Sequence, residues 1–328
     1  PPRVIHQYLP VDSRQSVNSF LKHWKPSLAA VTEFDLWPRA LTQVRKRNIP
    51  SILINCRITD RSFKKHQKNT NFISSVLALF DQYLTQEKTS QERLIALGAP
   101  AHLIQEIGPL KIGSDPLPDL RAERIAFTKA LGKRKIWLAA STHLLETPML
   151  FDTHLLVCKK INGSLLVLIP RNINDSAQLQ TIAKERSLNV VLRSSGNLPN
   201  VSTDIYIADT FGEMGLWYRV SAVTFIGHSL AVPGTILTGK NPFEALVLGQ
   251  MVLHGQNFRN FAKIYEMLLE KRASRAVLDS VELADVLCKI LNDKKFRTPY
   301  LKAAKAIISE GDLSIKQTTK ILSELILE

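Results

Sequence analysis

The chain has 328 residues, 45% of them hydrophobic, and carries 43 Lys+Arg against 29 Asp+Glu for a formal charge of +14. Mean hydropathy is −0.02, no apolar run reaches the ~18–20 residues that cross a bilayer, and the start has no signal-peptide pattern. A single core rarely grows beyond about 250–300 residues, so this length allows two domains. Such a basic surface suits phosphate, whether of nucleic acid, anionic membrane or a phosphorylated ligand. Its cations are dispersed, as at Arg45-Lys46-Arg47 and Lys133-Arg134-Lys135, and no aromatic-rich RNA-binding motif accompanies them. Cys56, Cys158 and Cys288 form no Cys-x-x-Cys pair and read as reduced core thiols of a cytoplasmic protein, with no metal site. The opening Pro1-Pro2-Arg3 reads as though entered mid-protein.

In chain order, strands are expected at residues 28–33 and 51–55, with a helix over 36–47 that puts Leu36, Ala40, Leu41 and Val44 on one side. Helices follow at 71–83 and at 90–97, the latter capped by Thr89 or Ser90 and closed by Gly98. Gly, Ser, Asp and two prolines within 112–118 make a linker. Beyond it the rhythm of short apolar runs and amphipathic stretches restarts. Strands are expected at 135–140, 164–169, 189–193, 204–208, 222–226 and 251–254. Helices are expected at 146–160, 175–187, 214–220, 242–248 and 257–272, which together make one doubly wound α/β domain. From Ser280 the pattern is helical, and the last stretch, 314–327, is free to pack back across the linker.

In such a sheet ligands sit beyond the carboxyl ends of the strands. There the chain carries Ala139-Ala140-Ser141-Thr142-His143, whose hydroxyls and N–H groups suit a phosphate and equally suit a plain helix cap. Arg171 could grip a phosphate or stand as a solvated loop arginine. Asp209-Thr210-Phe211-Gly212-Glu213-Met214-Gly215 permits close backbone approach, a weak signal alone. Gly227-His228-Ser229-Leu230 leads to Gly239-Lys240-Asn241-Pro242-Phe243-Glu244, with Asn241 as N-cap, Pro242 as first helical residue, and Glu244 either a ribose acceptor or half of a capping box. His228 and His254 read as loop residues with no metal-ligand spacing. The phosphate loop, the dinucleotide fingerprint, the Gly-x-Ser-x-Gly elbow and the His-Glu-x-x-His helix are all missing, which removes most support for kinase, dehydrogenase, hydrolase and zinc-protease classes.

Taken together, the order of these motifs resembles the Kdo (3-deoxy-D-manno-octulosonic acid) transferases. The first half agrees: His6-Gln7-Tyr8-Leu9-Pro10, Thr32-Glu33-Phe34-Asp35-Leu36-Trp37-Pro38 and Asn55-Cys56-Arg57-Ile58-Thr59-Asp60-Arg61-Ser62 are similar to family motifs. The resemblance implies a GT-B glycosyltransferase with two Rossmann-like domains and a cleft between them, the N-terminal one incomplete. Residues 1–112 would be the remaining acceptor domain, 113–308 the nucleotide-sugar domain, and 309–328 a helix packing back on the first. It implies inverting transfer of Kdo from CMP-Kdo, a donor substrate rather than a cofactor, to the lipid A precursor lipid IVA in lipopolysaccharide assembly. The place would be the anionic cytoplasmic face of the inner membrane. Arg171, Gly212, Glu213, Asn241 and Glu244 would hold CMP, with Ser141 and Thr142 lining the crevice, and Glu33, Arg57 and Lys111 would face sugar or acceptor. The family's catalytic carboxylate base would lie upstream of Pro1, leaving this chain inactive alone. Here Gly227-His228 replaces a Gly-Gly pair, and Leu144-Leu145-Glu146 replaces an acidic run. A GT-B enzyme using a UDP- or GDP-sugar, a basic nucleic-acid-binding protein and a membrane-surface scaffold are the competing readings; with the family resemblance, no nucleic acid is expected as partner.

Overall fold

The computed structural model describes residues 4–110 and 116–327. Lys111 and the first part of the expected linker lie outside the described residues. The chain divides into two compact units, Pro1–Gly113 with Ser309–Glu328, and Ser114–Ile308.

The first unit runs Arg14–Trp24 (α1), Ala29–Thr32 (β1), Pro38–Arg45 (α2), Ser51–Cys56 (β2), Asp60–Gln67 (α3), Thr70–Leu77 (α4), Gln82–Thr85 (β3), Lys88–Ala96 (α5) and Ile104–Glu106 (β4). Its sheet is parallel, in the order β1-β2-β3-β4. Parallel strands buried on both faces read as continuous apolar runs, and β2 is buried at every position but Ile54. That same property misleads at 71–83. The helix stops at Leu77, and the apolar residues after it form β3. Asp81 turns the chain: Oδ2 accepts the Ser51 N–H at 2.8 Å and Oδ1 accepts from Arg45 at 2.6 Å, drawing the segment beside β2. An unbroken apolar run does not tell a buried strand from a helix. The cap of α5 also differs, since Glu87 occupies the N-cap position. Ser90 is buried instead, its Oγ accepting the Ile58 N–H at 3.0 Å. Gly98 (φ 98°) does close α5, and a Cβ there would lie 2.4 Å from Ser74 Oγ.

Alternate residues of this sheet point to opposite faces. Leu53, Tyr83 and Ile104 pack with Leu41, Val76, Leu77 and Leu94. Ile52 and Leu84 pack with Leu325, Ile321 and Leu322. Those last residues belong to Thr298–Leu327, one continuous helix where a separate final segment was expected.

The second unit contains Arg121–Leu131 (α6), Ile136–Thr142 (β5), Thr147–Lys160 (α7), Leu165–Pro170 (β6), Ser176–Lys184 (α8), Val190–Leu192 (β7), Ile205–Ile207 (β8), Met214–Val220 (α9), Val223–Ile226 (β9), Phe243–Val247 (α10), Met251–His254 (β10), Ala262–Glu270 (α11), Ser274–Ala276 (β11) and Ser280–Asn292 (α12); the 30-residue helix Thr298–Leu327 is α13. All pairings in its sheet are parallel, in the order β11-β10-β9-β5-β6-β8-β7. The strand β11 is one more than the sequence pattern gives, because a three-residue Ser-Arg-Ala edge carries no apolar run. The helix expected over 257–272 begins only at Ala262, after a short helical turn at Arg259–Phe261. One face of the sheet buries Trp137, Ala139, Leu166, Leu168, Ile205, Ile207, Val223 and Phe225 with Leu150, Phe151, Leu179 and Leu287 of α7, α8 and α12. On the other, Tyr206 meets Phe127 of α6 and Trp217 of α9 in edge-to-face and tilted contacts, with centroids 5.1–5.6 Å apart. Leu117 and Pro118, within the expected linker, are pinned: Arg219 donates to the Leu117 carbonyl at 2.7 Å and to that of Pro118 at 3.2 Å. Cys56 and Cys288 are buried, while Cys158 is half-buried between His154 and Ser164.

Candidate functional site

In the second sheet the chain lays down β5, β6, β7 and β8 to one side of β5, then crosses back to place β9 on the other. The carboxyl ends of β5 and β9 therefore flank a topological switch point, where open parallel sheets leave a crevice for ligands. Ser141 sits there in the left-handed region (φ 55°), and the β5–β6 register shifts between Ala140 and Thr142. This kink frees the Ser141 carbonyl, which accepts from His228 Nδ1 at 2.8 Å. Thr142 is buried, and its carbonyl accepts the Arg171 N–H at 2.9 Å, fixing where the exposed Arg171 side chain begins.

Between these strands lies Glu146, with no exposed surface. Its Oε1 accepts N–H groups of His143 (2.9 Å) and His228 (2.6 Å), and its Oε2 those of Ser229 (3.3 Å) and Leu230 (3.4 Å). Burial pushes the Glu146 pKa up, and the four N–H groups work against that rise. The carboxylate gathers the turns after β5 and β9 onto one centre. Gly227 makes this approach possible: a Cβ there would stand 2.6 Å from Glu146 Oε1 and 2.6 Å from the Thr142 Cα. The turn after β9 is tied further, as Gly239 donates to the His228 carbonyl (2.8 Å) and Gly255 to Ser229 Oγ (2.8 Å).

A hollow of ≈ 260 Å3 opens over this frame, lined by Thr142, His143, Leu144, Leu145, Arg171, Asn172, Asp175 and His228. A wider groove lies against α1 among Asn18, Lys22, Lys25 and Arg47, beside the amino ends of β1 and β2, where parallel sheets do not gather ligands. At the switch-point hollow Lys240 stands near Arg171, its pKa lowered by burial and by Arg171, with Glu146 opposing. The switch point thus presents the cations Arg171 and Lys240 to an anion.

The expected residues fall into three groups. Ser141, Thr142 and Arg171 meet at the switch point with Lys240. Asn241 is exposed, and its Oδ1 accepts the Phe243 N–H at 3.0 Å. The expected frame is nevertheless one residue early, because Pro242, not Asn241, holds the N-cap position of α10. Glu244 makes no capping bond back; among the described residues its carboxylate has no partner, and burial raises its pKa. Gly212 and Glu213 follow β8, two strands beyond β5. Glu213 is engaged: Arg193 donates to both its oxygens (2.8 Å and 3.1 Å), Thr210 donates as well, and Arg193 also reaches Glu123 at 2.9 Å. Burial would raise the Glu213 pKa, but those bonds outweigh it and the net shift is downward. In the first unit, Glu33 (φ 62°) follows β1 and Arg57 follows β2, both exposed. Between them Asn55 (φ 53°) accepts the Leu110 N–H at 3.1 Å.

From the sequence, Glu146 stood only as the remnant of an acidic run and His228 as a loop residue in place of a glycine, neither as a site residue. His254 likewise ends β10 in full burial, between Gly255 O (2.7 Å) and Ser274 Oγ (3.2 Å). A glutamate three residues after a histidine that caps the same turn was the available signal for Glu146. Among the described residues no group of three or more His, Cys, Asp or Glu could hold a metal ion, and no helix is long and apolar enough to cross a membrane.

Residues 1–114 match the family model described as 3-deoxy-D-manno-octulosonic-acid transferase (kdotransferase). Over 325 residues the chain is 30% identical to a 3-deoxy-D-manno-octulosonic acid transferase of Haemophilus influenzae, covering 97% of this chain and 74% of that one. The chain belongs to the Kdo transferase family. Kdo transferases of Rickettsia felis (27% identity, 89% of this chain, 61% of the relative) and, as a probable mitochondrial protein, Arabidopsis thaliana (27%, 94% and 70%) are also similar. Among solved structures, the C-terminal CMP-Kdo binding domain of WaaA from Acinetobacter baumannii aligns with 57% of this chain and 96% of its own (TM-score 0.53, 24% identity). A putative UDP-N-acetylglucosamine 2-epimerase from Listeria monocytogenes covers 95% of this chain and 78% of its own (TM-score 0.59, 13% identity). At these identities the likeness is one of fold, and that fold is the mixed α/β arrangement of two Rossmann-like units that GT-B proteins share. Kdo transferase membership covers both units of this chain.

Proposed function

We propose that this Kdo transferase binds CMP-Kdo at the β5–β9 switch point and serves the transfer of Kdo to a lipid A precursor at the cytoplasmic face of the inner membrane. The observation that carries the reading is the cationic crevice of Arg171 and Lys240, framed by Glu146, in a chain whose family membership spans 97% of its length. Arg171 and Lys240 would meet the donor phosphate, and Ser141 and Thr142 would line its approach. Asn241 and the unpartnered Glu244 would receive the nucleoside, a half-buried carboxylate being a natural acceptor for ribose hydroxyls. Gly212 gives backbone access near β8, while Glu213 acts through Arg193 as a strut for that turn.

In an inverting displacement the acceptor hydroxyl oxygen attacks the anomeric carbon. The bond to the phosphate oxygen breaks with its electron pair, and the acceptor proton goes to a carboxylate base. Charge grows on the departing phosphate, so fixed cations there favour the transition state over the ground state. The base is not drawn from this crevice, because Glu146 has both oxygens engaged by backbone and Glu213 is held by Arg193. Glu33, Arg57 and Lys111 are proposed to face the sugar or acceptor. The net charge of +14 suits an anionic lipid surface and acceptor.

The test is calorimetric titration of the chain with CMP, UDP and GDP, alongside CMP-Kdo-dependent labelling of lipid IVA on anionic vesicles. CMP should bind and Arg171→Ala should weaken it about tenfold or more, the worth of one charged hydrogen bond. Preference for UDP or GDP over CMP overturns the donor assignment.

A further inference from the structure

At the switch point the geometry of the His228 side chain demands an explanation beyond folding. Its backbone is left-handed (φ 57°), which glycine enters freely and other residues at a cost. Three bonds hold it there: its N–H to Glu146 Oε1, its carbonyl from Gly239, and its ring to Ser141. Strain of this kind persists where the surroundings over-determine it, commonly at binding sites. The ring lines the hollow with Arg171 and meets His143 edge to face, centroids 5.0 Å apart and planes at 89°.

The tautomer follows from the bonding. A carbonyl oxygen only accepts, so the 2.8 Å contact to Ser141 puts a proton on Nδ1. In the neutral ring Nε2 is then a bare lone pair, and among the described residues nothing donates to it. A lone pair repels a phosphate oxygen; an imidazolium Nε2–H binds one. We propose that His228 is an oxyanion-binding residue of the donor site and takes up a proton as the donor's phosphate arrives. This rests on the reading of the crevice as a nucleotide site.

The surroundings favour the neutral ring before binding. Burial lowers the His228 pKa, the Ser141 carbonyl opposes, and Lys240, His143 and Arg171 lower it further. Two acids stand near it as well. Glu146 lies beneath the loop with its oxygens bound to N–H groups, and Asp175 stands across the hollow hydrogen-bonded to Asn172 at 2.8 Å. A bound phosphate adds negative charge to this cationic ring of side chains and reverses the balance. His143 has the complementary arrangement: Nδ1 accepts the Leu145 N–H at 3.2 Å, so its proton resides on Nε2 without any proton uptake.

The experiment is titration calorimetry with CMP from pH 6 to pH 8, each point in two buffers of different ionisation enthalpy, for the wild type and His228→Gln. CMP's own phosphate titrates near pH ~6 in both, so the difference between proteins counts. The wild type should bind a larger fraction of a proton per CMP than the variant. Its affinity should rise by up to about tenfold more than the variant's as pH falls by one unit across the linked range. His228→Gly, which suits the left-handed backbone, covers the case in which the glutamine variant fails to fold, and should show the variant profile. Coincident pH profiles and proton counts overturn this inference and leave the donor site standing. Failure of CMP to bind the wild type at any pH removes both.

Discussion

The two sheets of this protein end in different ways. After β1 and β2, the first unit sets out Glu33 and Arg57 as exposed side chains, with Asn55 steadying the turn by one bond to Leu110. After β5 and β9, the second unit gathers its turns on a buried carboxylate that takes four backbone N–H groups. An edge of the first kind can change a side chain at little cost to the fold. In the second kind, the residues that shape the site also hold the domain together.

Glu146→Ala tests that difference most severely. It leaves four N–H groups without their acceptor, two of them buried, and should cost about 3–5 kcal/mol in urea unfolding, with loss of CMP binding. A cost under about 1 kcal/mol would mean that the turns are held by other bonds. Next is Gly227→Ala, whose added Cβ meets Glu146 and the Thr142 backbone; about 1–3 kcal/mol is expected, with CMP affinity falling as the frame is forced apart. Unchanged stability and affinity would show that the frame has slack.

Glu213→Gln should cost about 1–2 kcal/mol by weakening the bonds from Arg193, with CMP affinity changed less than stability. Its pH dependence has a definite sign. The Glu213 pKa is lowered in the folded state, so its stabilisation is present above the unfolded carboxylate pKa and lost as pH falls through the folded one. Wild type and variant should therefore converge on the acid side, and parallel curves would rule out the ion pair as the source. The smallest effect belongs to Arg57→Ala, within about 0.5 kcal/mol in unfolding, because the side chain is exposed. A larger loss would place Arg57 in the same class as Glu146. Its effect should instead be seen in binding of the lipid acceptor.

Much of the second unit was legible in advance. Six of its strands and the switch-point residues Ser141, Thr142 and Arg171 follow from apolar runs ending in small or polar residues, a local signal. The errors were also local. Gln82-Tyr83 were assigned to a helix because burial on both faces erases periodicity, and β11 went unseen because an edge strand needs no apolar run. The pairing of Glu213 with Arg193 was not legible, because the two lie 20 positions apart in sequence.

By itself, then, the sequence determined the alternation of strand and helix, the parallel class of both sheets, and the family, through motifs that are each contiguous. Tertiary structure alone decided which polar residues face one another. Glu146 and His228 are 82 residues apart, and their 2.6 Å bond exists only because β9 crosses back beside β5. The same crossing turns His228 from a loop histidine into a ring fixed on Ser141. Periodicity and capping act over a few residues, whereas the desolvation of a carboxylate and the tautomer of an imidazole depend on neighbours that only the fold assembles.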